Sequence, residues 1–154
     1  MHKLIASSLL LTGFNTVVHA QSPTPTNALE LPNMVVTATR TETAKNQLSA
    51  AATVYTRSDI ERLQAKTLPD LLRGTIGLDM VQNGGDGKST SVYLRGTNSD
   101  HVLVLIDGIK VGSATLGSSP FEFIPIDQVE RVEIIRGPQS SLYGSEAIGG
   151  VIQI

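Results

Sequence analysis

The 154-residue sequence contains no cysteine and no tryptophan, and aromatic residues make up only 4% of it. A chain without cysteine has no disulfide bond and offers no thiolate ligand to a metal ion. The formal net charge is −2, so the chain has no basic excess of the kind that binds nucleic acid, and it has few aromatic rings on which bases could stack. These absences argue against a disulfide-stabilised domain, a cysteine-based zinc site and a nucleic-acid partner.

The first twenty residues have the pattern of a secretory signal peptide. His2 and Lys3 precede an apolar stretch over 4–18, and Ala20 ends a small-residue cleavage site. The apolar stretch is shorter than the roughly 20 residues that a membrane-spanning helix needs, and polar residues interrupt it. We therefore expect this segment to be removed on export, which leaves Gln21 as the first mature residue.

A leader rich in proline and threonine follows, and it ends in one short β-prone run from Pro32 to Thr39. The few apolar residues of this run cannot bury themselves, and the polar leader offers nothing for them to pack against. The run is therefore suited to pairing with another protein as an added strand. It is equally compatible with an ordinary first strand of the domain that follows.

Residues 44–154 alternate between short helix and strand patterns, which predicts a small α+β domain. Capping-box spacing at Ser58–Glu61 and a second start signal at Thr67 predict two short helices. Asp107 and Gly108, between two aliphatic runs, are typical of a two-residue hairpin loop. Strands are predicted at Ala52–Thr56, Leu78–Gln82, Ser91–Arg95, Val102–Ile106, Ile109–Val111, Arg131–Arg136 and Val151–Ile154.

No motif supports an enzyme, a catalytic residue or a metal site. The phosphate-loop spacing around Gly87–Ser89 fails because Gln82 stands in the place of the first glycine. His101 is the only histidine beyond the signal peptide, so it has no second histidine with which to ligate a metal. A nucleotide-binding enzyme built on Gly87–Ser89 remains an alternative function.

Two arginines, Arg95 and Arg136, stand at strand ends and are each followed by glycine. A guanidinium at such a position presents a bidentate donor that matches a carboxylate on a surrounding protein wall. A solvated strand end explains the same pattern, and the residues alone leave both interpretations open.

Six segments carry a resemblance to a known family: Met34–Ala38, Gln82–Gly85, Arg95–Asn98, His101–Gly108, Val132–Pro138 and Leu142–Ile152. Together they resemble the plug domain of TonB-dependent outer-membrane receptors. The second and third segments are most similar to the cobalamin receptors of that family. The resemblance covers nearly the whole mature chain.

The resemblance implies a signal peptide over 1–20, a flexible segment over 21–43 and a plug domain over 44–154. The plug would be a small mixed sheet with short helices, and it would lie inside a 22-stranded β-barrel that is absent from this sequence. The location implied is the Gram-negative outer membrane. The β-prone run would then be the TonB box, facing the periplasm and binding the C-terminal domain of TonB by strand addition. This box comprises Pro32, Asn33, Met34, Val35, Val36, Thr37, Ala38 and Thr39.

By position, the family's ligand contacts fall on Asn83, Ser89, Ser91, Asn98, Leu116 and Gly117, all in apical loops or beside them. Arg95 and Arg136 become contacts between plug and barrel. The implied function is proton-motive-force-driven uptake of cobalamin, with no cofactor besides the transported ligand. The chain alone should not transport, because the barrel is missing. A siderophore or other metal-chelate receptor and a stand-alone periplasmic plug-like adaptor remain as alternatives.

Overall fold

The computed structural model describes residues 34–35, 37, 40–85, 87–112 and 119–154. The predicted signal peptide and the leader up to residue 33 lie outside the described residues. So do seven predicted site residues: Pro32, Asn33, Val36, Ala38, Thr39, Leu116 and Gly117. Within the described ranges, no helix is long and apolar enough to cross a membrane.

The described strands form one five-stranded sheet and two two-stranded ladders. They are β1 (Met34–Val35), β2 (Thr43–Ala44), β3 (Ala51–Thr56), β4 (Leu78–Gln82), β5 (Thr90–Leu94), β6 (Val102–Ile106), β7 (Ile109–Val111), β8 (Arg131–Arg136) and β9 (Gly150–Gln153). The large sheet has the order β3-β8-β9-β6-β7, in which only β6 and β9 are parallel. β1 pairs with β2, and β4 pairs with β5. This mixed sheet with short helices confirms the predicted α+β class.

Within the described ranges, three short α-helices connect the strands: α1 (Arg57–Leu63), α2 (Leu68–Arg73) and α3 (Ser140–Tyr143). Thr67 caps α2 as predicted, since its hydroxyl accepts a hydrogen bond from the N–H of Asp70 at 3.2 Å. The capping box predicted at Ser58–Glu61 is wrong by two residues. The extended backbone of Thr56 brings its hydroxyl to the N–H of Asp59, so these two residues form the box and α1 begins earlier.

Alternation along the strands divides the apolar residues of the large sheet between its two faces. On one face, Val132, Ile134 and Ile152 join the main core with residues of both longer helices. The main core also includes the fully buried Leu68, Leu72, Leu94 and Phe121. On the opposite face, Ile135 and Val151 belong to smaller apolar clusters. Apolar clusters therefore cover both faces of β8, and Glu133 lies on the same face as Ile135.

The hairpin between β6 and β7 has the loop that the sequence predicted. Asp107 and Gly108 have φ values of +49° and +78°, and Ile106 pairs with Ile109 across the loop. Positive φ at both loop residues matches the twist of the flanking strands. This hairpin fixes the β7 edge of the large sheet.

The contact between β8 and β9 allows a prediction at Gly150. A Cβ there would overlap the carbonyl oxygen of Ile135 and would lie 2.7 Å from Leu94 Cδ1. We expect Gly150→Ala to lower the free energy of unfolding by about 3 kcal/mol or more, because backbone must move to admit the methyl group.

Gly74→Ala is the matched control, since a Cβ at Gly74 meets nothing within 4 Å. We expect it to change the free energy of unfolding by less than about 1 kcal/mol. Urea unfolding of both variants measures the difference, and equal effects would contradict the proposed close approach.

Candidate functional site

The β-prone run Pro32–Thr39, here called the coupling segment, lies against the sheet wherever it is described. Met34 and Val35 pair with Ala44 and Thr43 in the short antiparallel β1–β2 ladder. The side chain of Val35 is fully buried in an apolar cluster that also contains Ala52, Val54 and Ile135. The segment therefore packs on β3 and β8, and part of it forms the first strand of the fold.

Thr37 joins the coupling segment to the buried carboxylate of Glu133. Its backbone N–H donates to Glu133 Oε2 at 2.9 Å, and its hydroxyl donates to the same oxygen at 2.6 Å. Thr37 is 3% exposed and Glu133 is 2% exposed. A buried carboxylate needs such donors, because desolvation of an unpaired charge is costly.

Arg131 and Tyr143 hold the backbone of the same segment on either side of this contact. Arg131 Nε donates to Glu133 Oε1 at 2.8 Å, and its Nη2 donates to the carbonyl oxygen of Met34. The Tyr143 hydroxyl donates to the carbonyl oxygen of Thr37 at 2.9 Å. Side chains from β8 and α3 thus occupy backbone groups of the coupling segment.

Arg40 lies over the ring of Tyr143. Its guanidinium carbon lies 4.7 Å from the centroid of the Tyr143 ring, which is within the range of a cation–π contact. Arg40 Nη2 also donates to the carbonyl oxygen of Leu142 at 2.6 Å. Tyr143 is therefore held in place to donate its hydroxyl to Thr37.

Burial is the largest single influence on the pKa of Glu133 and acts to raise it. The hydrogen bonds from Thr37, followed by those from Arg131, outweigh that influence and hold the pKa below its ordinary value of 4.5. Glu133 is therefore ionised at neutral pH, as a carboxylate that accepts hydrogen bonds from both residues must be.

Glu133 was not among the predicted site residues, because Thr37, which donates two hydrogen bonds to it, lies 96 residues away in the chain. A local signal was nevertheless present. Glu133 is the single acidic residue within the run Arg131–Arg136, between the apolar Val132 and Ile134. An acidic residue surrounded by apolar residues within one strand indicates a buried carboxylate with hydrogen-bond partners.

The structure places three predicted ligand residues on the β4–β5 hairpin. Asn83 and Ser89 are exposed and face each other across its turn, where the Asn83 N–H donates to the Ser89 carbonyl at 3.1 Å. Ser91 lies in β5 opposite Val81. Asn98 is exposed and follows the other end of β5, so the hairpin does not bring it beside the first three.

Arg95 and Arg136 lie close together at the ends of β5 and β8. A Cβ on Gly77 would be 3.7 Å from Arg95 Cγ and 3.6 Å from Arg136 Cδ. Arg136 Nη1 donates to the carbonyl oxygen of Ile76 at 2.7 Å. Burial, and then the like charge of Arg95, lower the pKa of Arg136 below its ordinary value. None of the ion pairs among the described residues includes either arginine.

Neither metal nor phosphate binding is indicated by the described geometry. No group of three His, Asp or Glu residues that could hold a metal ion occurs within the described ranges. Gly87 and Ser89 lie in the β4–β5 turn, and the strand β5 follows them. A phosphate loop requires a helix at that point, so the structure does not have this feature at Gly87–Ser89.

The lowered pKa of Glu133 makes the free energy of unfolding depend on pH. A carboxylate whose folded pKa is depressed stabilises the fold fully above its unfolded value near 4.5 and loses that contribution as the pH falls through the folded value. We expect Glu133→Gln to lower the free energy of unfolding at pH 7 by about 1 to 3 kcal/mol and to flatten its decrease in acid.

Urea unfolding of the chain between pH 7 and pH 3 measures this effect. Glu130→Gln is the matched control, because it makes the same change at an exposed neighbour. Asp59, whose pKa is lowered to about 2, also makes the free energy of unfolding decrease in acid, and it does so equally in all variants. An unchanged acid slope in Glu133→Gln would contradict the assignment.

Comparisons with known proteins agree with this geometry. The family model described as TonB-dependent Receptor Plug Domain matches residues 44–151. The vitamin B12 transporter BtuB of Vibrio cholerae serotype O1 is 47% identical over 150 residues, which cover 97% of this chain and 24% of the relative. The chain thus spans about a quarter of the length of the curated relatives it matches.

Solved structures of siderophore receptors share the fold. A ferric enterobactin receptor, PfeA from Pseudomonas aeruginosa, is 30% identical with a TM-score of 0.54, over 70% of this chain and 17% of the receptor. The siderophore receptor PirA from Acinetobacter baumannii is 27% identical with a TM-score of 0.55, over 71% and 17%. Since the family model covers more than half of the sequence, the chain belongs to the TonB-dependent receptor plug domain family.

Proposed function

We propose that this plug is the N-terminal part of an outer-membrane receptor that takes up cobalamin, with energy delivered through TonB. The observation that carries the proposal is the 47% identity to a vitamin B12 transporter across 97% of the chain. The siderophore receptors among the solved structures are 27–31% identical and cover 67–71% of the chain. The stronger likeness therefore supports cobalamin over a metal chelate as the ligand.

The β4–β5 hairpin supports a polar ligand surface on the plug. Asn83 and Ser89 are exposed at its turn, and Ser91 is half-buried on β5. Amide and hydroxyl groups of this kind suit the amide-rich rim of a corrinoid, since each can donate or accept a hydrogen bond. Asn98, Leu116 and Gly117 complete the proposed contacts.

The pair of arginines supports a second role, which is contact with a surrounding barrel. Arg95 and Arg136 lie beside each other with no carboxylate partner among the described residues. Two adjacent guanidiniums repel one another, and acidic groups on a barrel wall would relieve that repulsion through bidentate hydrogen bonds. The chain without such a barrel does not transport.

The coupling segment supplies the proposed entry point for energy from the inner membrane. Its β-prone backbone suits strand addition to the C-terminal domain of TonB, in which main-chain hydrogen bonds provide the affinity. In this arrangement the segment faces the periplasm and the β4–β5 hairpin faces the ligand. A siderophore receptor would bind ferric siderophores in place of cobalamin, and a plug-like adaptor without a barrel would bind neither ligand.

Ligand identity is tested by titrating the complete gene product with cyanocobalamin and, separately, with ferric siderophores. We expect binding of cyanocobalamin at micromolar concentrations or below, and about threefold to tenfold weaker binding in Asn83→Ala, which loses polar contacts. Asn46→Ala is the matched control at an exposed residue outside the hairpin. Binding of ferric siderophores in place of cobalamin would replace the proposed ligand.

The coupling step is tested by capture of the TonB C-terminal domain on the complete gene product. We expect Val36→Pro to reduce capture at least tenfold, because proline removes a ladder N–H and distorts an added strand. Val36→Ala keeps that N–H and should retain most of the capture. Equal capture by all three proteins would reject strand addition at this position.

A further inference from the structure

Side chains of the plug occupy the backbone groups of the coupling segment that strand addition requires. The Met34 carbonyl accepts from Arg131, the Thr37 N–H donates to Glu133, and the Thr37 carbonyl accepts from Tyr143. An added strand forms its ladder with backbone N–H and C=O groups such as these. A partner strand that reaches Thr37 must therefore displace contacts that already exist.

Glu133 is the centre of this set of contacts. Its Oε2 accepts hydrogen bonds from both the backbone N–H and the hydroxyl of Thr37. Its Oε1 accepts from Arg131, and Arg131 also donates to the carbonyl oxygen of Met34. Hydrogen bonds to an ionised group are roughly twice as strong as neutral ones. The carboxylate thus orders the two ends of the described coupling segment through one buried charge.

We propose that Glu133 is a positioning residue that holds the coupling segment on the sheet, and that the partner strand competes with the Glu133 carboxylate for Thr37. The second half of this proposal rests on the proposed coupling to TonB. The first half concerns the plug alone and stands without a partner. A variant that keeps the shape of Glu133 and removes its charge releases the segment.

The buried side chain of Val35 provides a direct reporter of release. Val35 is fully buried, and the chain has no native cysteine, so a Val35→Cys thiol reacts with maleimide when the segment leaves the sheet. Val92→Cys is the reporter of global opening, because Val92 is 3% exposed and lies in β5 within the main core. Both are placed in the complete gene product, with any further cysteines replaced by serine.

Adding Glu133→Gln should raise the labelling rate of the Val35→Cys thiol about tenfold. In every variant the Val35→Cys thiol should react faster than the Val92→Cys thiol, because release of the segment requires less free energy than global opening. The exposed Glu130→Gln should change neither rate. Thr37→Val removes one donor to Glu133 and should add little once Glu133→Gln is present, because both remove the same contact. An unchanged rate at Val35→Cys in Glu133→Gln, or equal labelling rates of the two thiols, would overturn the positioning role.

Capture of the TonB C-terminal domain tests the competition. We expect Glu133→Gln to strengthen capture about tenfold, in proportion to the release seen by labelling. Faster labelling with unchanged capture would overturn the competition, provided that Val36→Pro weakens capture in the same assay. If Val36→Pro captures as well as the parent protein, strand addition at this position is rejected, while the labelling result still decides the role of Glu133.

Discussion

The buried carboxylate of Glu133 determines where the coupling segment lies. Burial alone would disfavour its charge, and the donors from Thr37 and Arg131 are what make the charge tolerable there. The interaction is therefore mutual, since the segment satisfies the carboxylate and the carboxylate orders the segment. An apolar residue at this position would pack against the sheet, but it would leave the Thr37 N–H without its acceptor.

Strand β8 connects the parts of the plug to which we assign different roles. Its first half carries Arg131 and Glu133, which contact the coupling segment, and its last residue Arg136 reaches the carbonyl of Ile76, just before β4. Its alternate residues Val132 and Ile134 are fully buried in the main core. A displacement of β8 thus affects the coupling segment, the core and the base of the β4–β5 hairpin together.

Features set by neighbouring residues could be predicted from the sequence, and contacts between distant residues could not. Asp107 and Gly108 specify their own hairpin because both adopt positive φ, and Thr67 caps a helix within its own reach. The alternative cap at Ser58 failed because Thr56, two residues earlier, has the same chemistry and the extended backbone that a cap needs. The partners of Thr37 depend on how β8 is placed, and no local pattern contains that information.

The strand order has a consequence for how the domain forms. β9 lies in the middle of the large sheet, between β8 and β6, yet it is the last of the five strands in the chain. Its parallel pairing joins Val102 to Gly150, so a long loop must close before the sheet is complete. A chain that is synthesised from its N-terminus cannot complete this sheet until residues 150–153 have followed. Until then β8 and β6 each have an unpaired edge that can associate with other chains, so the plug is exposed to misassembly before β9 is in place.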